Sequence, residues 1–170
     1  IIGLQSASIL QNAKMVEQEK ALLEVQNELT AANNIQERLL PKEPPNLVGY
    51  RVSGSSTPAK NVGGDYFDFL PLDEARHAFV VGDITGKGLP AALLMANLQA
   101  TIRSHAESSR TPSVAMAKSN TMLHRSTDPE KFATVFYCVL DQETGKLSYT
   151  NAGHNFPMIF RKNGDVESLK

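Results

Sequence analysis

From Leu4 to Leu40 the chain contains neither proline nor glycine, and Pro41, Pro44 and Pro45 then follow in quick succession. Apolar residues recur at helical spacing through this stretch: Ile9, Val16 and Leu23, then Leu22, Val25, Leu29, Ala32 and Leu39. The pattern predicts one long amphipathic helix, or two with a break. The prolines end it, because each lacks a backbone donor and biases its predecessor away from helical geometry. Residues 1–40 are thereby committed to a lead-in helix, and the rest of the 170 residues is one domain's worth of core-building sequence. Taking Met15, Leu22 and Leu29 as heptad a places Val25, Ala32 and Leu39 at d, while Gln18 and Gln36 interrupt the seam. A homodimer through this helix and a helix lying on its own domain both fit.

After the prolines, strand-like segments are expected at 50–55, 66–70 and 77–81, followed by a helix from Leu89-Pro90 to about Ser104. Thr111-Pro112 signals a second helix running towards Leu123, with a hydroxyl cap ahead of a proline. The period then changes to strands at 132–140, 146–151 and 156–161, with turns at Glu143-Thr144-Gly145 and Asn163-Gly164. Helices mid-chain with flanking antiparallel strands predict an α+β fold. The charge of −1 and the lack of a Lys/Arg-rich stretch argue against a nucleic-acid partner. Cys138 is the only cysteine and sits in an apolar run, so it reads as a buried thiol in a reducing, cytoplasmic compartment. The first residues are too polar for a signal peptide or a membrane span, and the opening Ile1 reads as a cut from a longer cytosolic protein.

The chemistry is expected in two acidic glycine turns, Gly63-Gly64-Asp65-Tyr66-Phe67-Asp68 and Gly82-Asp83-Ile84-Thr85-Gly86-Lys87-Gly88. Gly86 to Ala91 superficially fits a dinucleotide fingerprint, but Asp83 would repel a pyrophosphate and no parallel strand follows. A phosphate loop fails on spacing and has Gly88 where a magnesium-binding hydroxyl belongs. Two aspartates at strand ends do suit hard divalent cations, and paired cations suit in-line phosphoryl displacement. The plain alternative, that glycine and aspartate are simply common in turns, is weaker for two such turns than for one.

Together with Leu89-Pro90-Ala91-Ala92-Leu93-Leu94-Met95 and Asn151-Ala152-Gly153-His154-Asn155-Phe156-Pro157, these turns resemble the signature stretches of the PPM metal-dependent serine/threonine phosphatases. The nearest branch is the bacterial SpoIIE/RsbU-like one, related to eukaryotic type 2C enzymes. Ile35 to Pro41 resembles the segment leading into such domains, and Ile1 to Lys14 is similar to the closing helix of a GAF sensor domain. The resemblance implies an α/β/β/α sandwich occupying residues 41–170, C-terminally incomplete, because the family's downstream Asp-Gly turn is missing and Asn163-Gly164-Asp165 does not match it.

It further implies two Mn²⁺ or Mg²⁺ ions, with Asp65 and Asp83 as catalytic metal ligands and the Ile84 carbonyl beside Asp83. Lys60 stands where relatives place a phosphate-binding cation, a solvated loop lysine being the alternative. Asp68, Gly64, Thr85, His154 and Asn155 are implied as supporting residues. Thr85 occupies the place of a eukaryotic histidine that can serve as general acid, which leaves leaving-group protonation unassigned. The implied activity is hydrolysis of phosphoserine or phosphothreonine on a regulatory partner protein such as an anti-sigma-factor antagonist, regulated through the N-terminal helix. Two rivals remain: a non-catalytic phosphatase-like module for dimerisation and protein binding, and a metallohydrolase of small phosphate esters.

Overall fold

The computed structural model describes residues 2–58 and 61–170, with side chains from Leu10 onward. The lead-in is a single helix, α1 (Ile2–Leu39), with no break. It does not lie along the domain. Every residue from Leu10 to Glu28 is exposed, including the heptad positions Met15, Leu22 and Val25. Only from Leu29 onward do α1 side chains begin to bury, where the helix end meets α2.

The remaining elements are β1 (Tyr66–Pro71), β2 (Arg76–Ile84), α2 (Leu89–Ala106), α3 (Pro112–Arg125), β3 (Ala133–Asp141), β4 (Leu147–Ala152), β5 (Met158–Phe160) and β6 (Val166–Ser168). Strands β1 to β4 form one antiparallel sheet in chain order, and β5 and β6 form a separate ladder. The expected α+β class is observed. Of the implied four layers, the described residues form the helix layer, one sheet and the β5–β6 ladder.

Period-two alternation decides which sheet face carries the core. Tyr66, Asp68 and Leu70 of β1, Ala78, Val80 and Ile84 of β2, and Val135 and Tyr137 of β3 are buried on the helix side. Helix α2 meets them with Ala91, Met95, Leu98, Ile102 and Ala106, three or four residues apart on one stripe. Its start is set by Gly88, whose φ of 71° suits a residue without Cβ, and by Pro90 in the first turn. At the start of α3 the Thr111 hydroxyl accepts from the Val114 N–H. The hairpin expected at Asn163-Gly164 joins β5 to β6, with Gly164 at φ 92°.

One expectation fails. Residues 50–55 form no strand, the only bridge there being Leu47 with Tyr50. The segment instead crosses the outer sheet face as a loop, so closely that a Cβ on Gly54 would lie 2.8 Å from the Phe67 ring and 2.9 Å from that of Phe69. An alternating apolar pattern makes a strand only where a neighbour offers a ladder, and among the described residues none lies beside it.

Candidate active site

The β1–β2 register brings the two glycine turns together. Tyr66 faces Gly82, so one step further along the same ladder Asp65 comes opposite Asp83. Alternation from the buried Tyr66 and Gly82 sends both carboxylates to the outer face, and both are exposed. Directly opposed residues on neighbouring strands have Cβ atoms about 4.5–5.5 Å apart, and like charges so placed are destabilising. Among the described residues neither carboxylate has a hydrogen bond or an ion pair; the pairs formed are Arg76–Asp73, Arg103–Asp68 and Arg161–Glu167. Two acids set opposite one another at a strand end are a local violation of folding logic, of the kind that functional sites carry.

Gly64 makes this approach possible. A Cβ at that position would stand 2.8 Å from the Ile84 carbonyl oxygen and 3.0 Å from the Ile84 Cβ. The Ile84 N–H donates back to the Gly64 carbonyl at 3.3 Å, which continues the pairing past the formal end of β1. The Ile84 carbonyl therefore sits at the same turn as Asp65. Two carboxylates and a nearby carbonyl are hard oxygen donors, chemically suited to Mg²⁺ or Mn²⁺. The set is short, since no cluster of three or more metal-binding side chains gathers among the described residues.

The other expected site residues divide. Thr85 is a staple: its N–H donates to the Phe132 carbonyl at 3.0 Å and its hydroxyl accepts from the Phe132 N–H at 3.1 Å. Thr134 is the β3 register partner of Asp83, and its hydroxyl lies 2.9 Å from His154 Nδ1, so His154 stands on the rim one strand beyond the acid pair. Asn151 holds that corner, its amide donating to the His154 carbonyl and accepting from the His154 N–H. Asn155 is exposed beside it. Lys60 lies outside the described residues.

Asp68 is not beside the acid pair. It is 0 % exposed on the helix side of the sheet, where Arg103 of α2 grips it through Nε at 2.7 Å and Nη2 at 2.9 Å. The Tyr66 hydroxyl and the Phe69 N–H donate to the same carboxylate. Burial, then the Asp68 charge, push the Tyr66 phenol far above its ordinary value, so it remains a donor. This network fastens α2 to β1 and leaves the carboxylate no spare lone pair for a cation, because alternation puts position 68 on the opposite face from 65.

Gln36 was missed as a site residue. It is 8 % exposed, its amide donates to the Gly63 carbonyl at 2.6 Å, and it accepts from the Gly63 N–H at 3.0 Å. Gln99 of α2 also donates to the Leu39 carbonyl at the end of α1. The signal was present as the polar residue interrupting the heptad seam.

The sequence profile of the family described as Stage II sporulation protein E (SpoIIE) matches residues 73–170. Phosphoserine phosphatase RsbU of Bacillus subtilis (strain 168) is 30% identical over 131 residues, covering 77% of this chain and 39% of that protein. The chain thus spans well under half the length of this curated relative. Among solved structures, the SiaA-PP2C domain of Pseudomonas aeruginosa superposes with TM-score 0.69 at 19% identity, covering 88% of this chain and 61% of that one. The RsbU and RsbW domains of Rv1364c from Mycobacterium tuberculosis give TM-score 0.59 at 28% identity, covering 67% and 32%.

Proposed function

The chain belongs to the SpoIIE family, and on that premise we propose that residues 41–170 are the N-terminal part of the catalytic domain of a cytoplasmic, metal-dependent protein serine/threonine phosphatase. The observation that carries the reading is the register-matched juxtaposition of Asp65 and Asp83, without an ion pair among the described residues. Without a cation that arrangement costs stability; with one it becomes a ligand set. When bound, two Mn²⁺ or Mg²⁺ ions supply an acidified water and charge neutralisation for an in-line phosphoryl displacement. The chain's own contribution is to hold the donors: Gly64 lets β2 approach, Thr85 ties the second turn to Phe132, and His154 shapes the rim through Thr134. By the family resemblance, Lys60 is the phosphate-binding cation. The substrate is a phosphoserine or phosphothreonine on a regulatory protein of the anti-sigma-factor antagonist class, in keeping with the likeness to a protein named phosphoserine phosphatase RsbU. Among the described residues no helix is long and apolar enough to cross a membrane.

Residues 1–40 form the regulatory linker. Its exposed Met15, Leu22 and Val25 stripe pairs with a second copy, and its packed end reaches the site through Gln36, which clasps Gly63 two residues before Asp65. A dimer-dependent shift of α1 would therefore move the Asp65 turn directly. The deciding experiment is a Mn²⁺-dependent dephosphorylation assay on the full-length protein beside its Asp83→Asn variant. Loss of activity in the variant with retained fold supports the reading, whereas equal rates would favour a binding module.

A further inference from the structure

At the opposite end of α2 from Asp83, a cavity of about 470 Å³ opens between the α2–α3 turn and strands β3 and β4. Its lining is mixed, with hydrogen-bonding side chains beside an apolar wall. Arg76, Arg110 and Lys146 face it, against one acid, Asp141. Arg76 is already paired with Asp73 at 2.7 Å. Asp141 is occupied in its own turn, accepting from the N–H groups of Thr144 at 2.9 Å and Glu143 at 3.1 Å, which hold its carboxyl below the usual range. Arg110 and Lys146 have no ion-pair partner among the described residues.

Two hydroxyls mark the interior. Tyr137 rises from the helix side of β3, is 1 % exposed and lines the cavity. Burial pushes that phenol up to about 12, so at neutral pH it is a donor. The Ser109 hydroxyl in the α2–α3 turn is buried and, among the described residues, unpartnered. Folded proteins leave few groups like this serine hydroxyl unsatisfied, at a cost of about 1–3 kcal/mol. The amino end of α3 adds positive potential at the same mouth.

We propose that this cavity binds a small organic phosphate. A phosphate offers acceptors to every unfilled donor and the charge that Arg110 and Lys146 lack. Its size sets the rest of the ligand: the volume falls in the range of small-molecule sites and exceeds what a bare phosphate fills, leaving room for an organic body against Leu72, Ala106 and Val139. Bound there, the ligand would brace α2 and α3 against the sheet. Helix α2 has 18 residues and so spans about 27 Å, which separates this cavity from the acid pair and makes the inference independent of the proposed phosphatase activity.

The test is calorimetric titration of the full-length protein with AMP and with inorganic phosphate, in EDTA so that no cation recruits anions to Asp65 and Asp83. Saturable AMP binding is expected, weakened about tenfold by Arg110→Ala or Lys146→Ala and about threefold by the isosteric Tyr137→Phe, as losses of charged and neutral hydrogen bonds respectively. Asp83→Asn should bind as the parent does. No saturable binding of either probe would show a water-filled cavity and overturn the proposal. So would binding that the three cavity variants leave unchanged, or that Asp83→Asn abolishes.

Discussion

Replacing Gly64 by alanine tests the geometry on which the candidate site depends. The added Cβ would stand 2.8 Å from the Ile84 carbonyl oxygen, 3.0 Å from its Cβ and 3.3 Å from its nitrogen. Ordinary van der Waals contact begins at 3.4 Å, so the two turns must separate by about 0.6 Å. None of the obstructing atoms is the far end of a flexible side chain; all belong to the backbone or Cβ of a strand held between β1 and β3. The clash cannot relax by a rotamer change. Overpacking of this kind costs about 1–3 kcal/mol. With a urea slope of about 1–3 kcal/mol per molar, the unfolding midpoint followed by circular dichroism should fall by about 1 M. The separation also exceeds the roughly 0.5 Å within which a ligand constellation must be held, so Mn²⁺ affinity should drop with it. An unchanged midpoint would refute the steric argument. Unchanged Mn²⁺ affinity in a folded, destabilised variant would refute the placement of the metal between positions 65 and 83.

Two further outcomes follow from buried groups. Arg103→Met leaves the Asp68 carboxylate buried with only Tyr66 and Phe69 as donors, and should cost about 3 kcal/mol, the lower part of the range for breaking a buried pair, because the Arg103 side chain is 48% exposed and water can partly replace it. Adding Asp68→Asn should recover part of that loss in the same denaturation assay, and strict additivity of the two changes would argue against their coupling. Burial pushes the Cys138 thiol from 9.0 up to about 11, so the folded state keeps a proton that the unfolded state releases. Stability is then constant below pH 9 on this account and falls as pH rises from about 9 to 11, with Tyr137 extending the fall towards 12. Cys138→Ala should flatten the first part of that slope in pH-dependent unfolding; an identical slope would refute the assignment.

Local chemistry made much of this protein legible in one dimension. The proline-free stretch and its proline stop specified α1, Thr111-Pro112 and Gly88-Leu89-Pro90 marked two helix starts, and short strand-like runs marked the four strands of the main sheet. Each signal acts over a few residues, through backbone dihedrals or side-chain period, and needs no distant partner. The glycine-aspartate turns were likewise visible as chemistry. Their meeting was a matter of register: the Tyr66–Gly82 pairing sets Asp65 against Asp83 and sends Asp68, three residues on, into the grip of Arg103 beneath the other face. Whether residues 50–55 became a strand depended on a neighbour to bond with, and whether Gln36 was a flaw in a coiled coil or a clasp on Gly63 depended on a contact across 27 positions. Such pairings are long-range, their reward arises only after the chain has closed on itself, and so tertiary structure alone decided them.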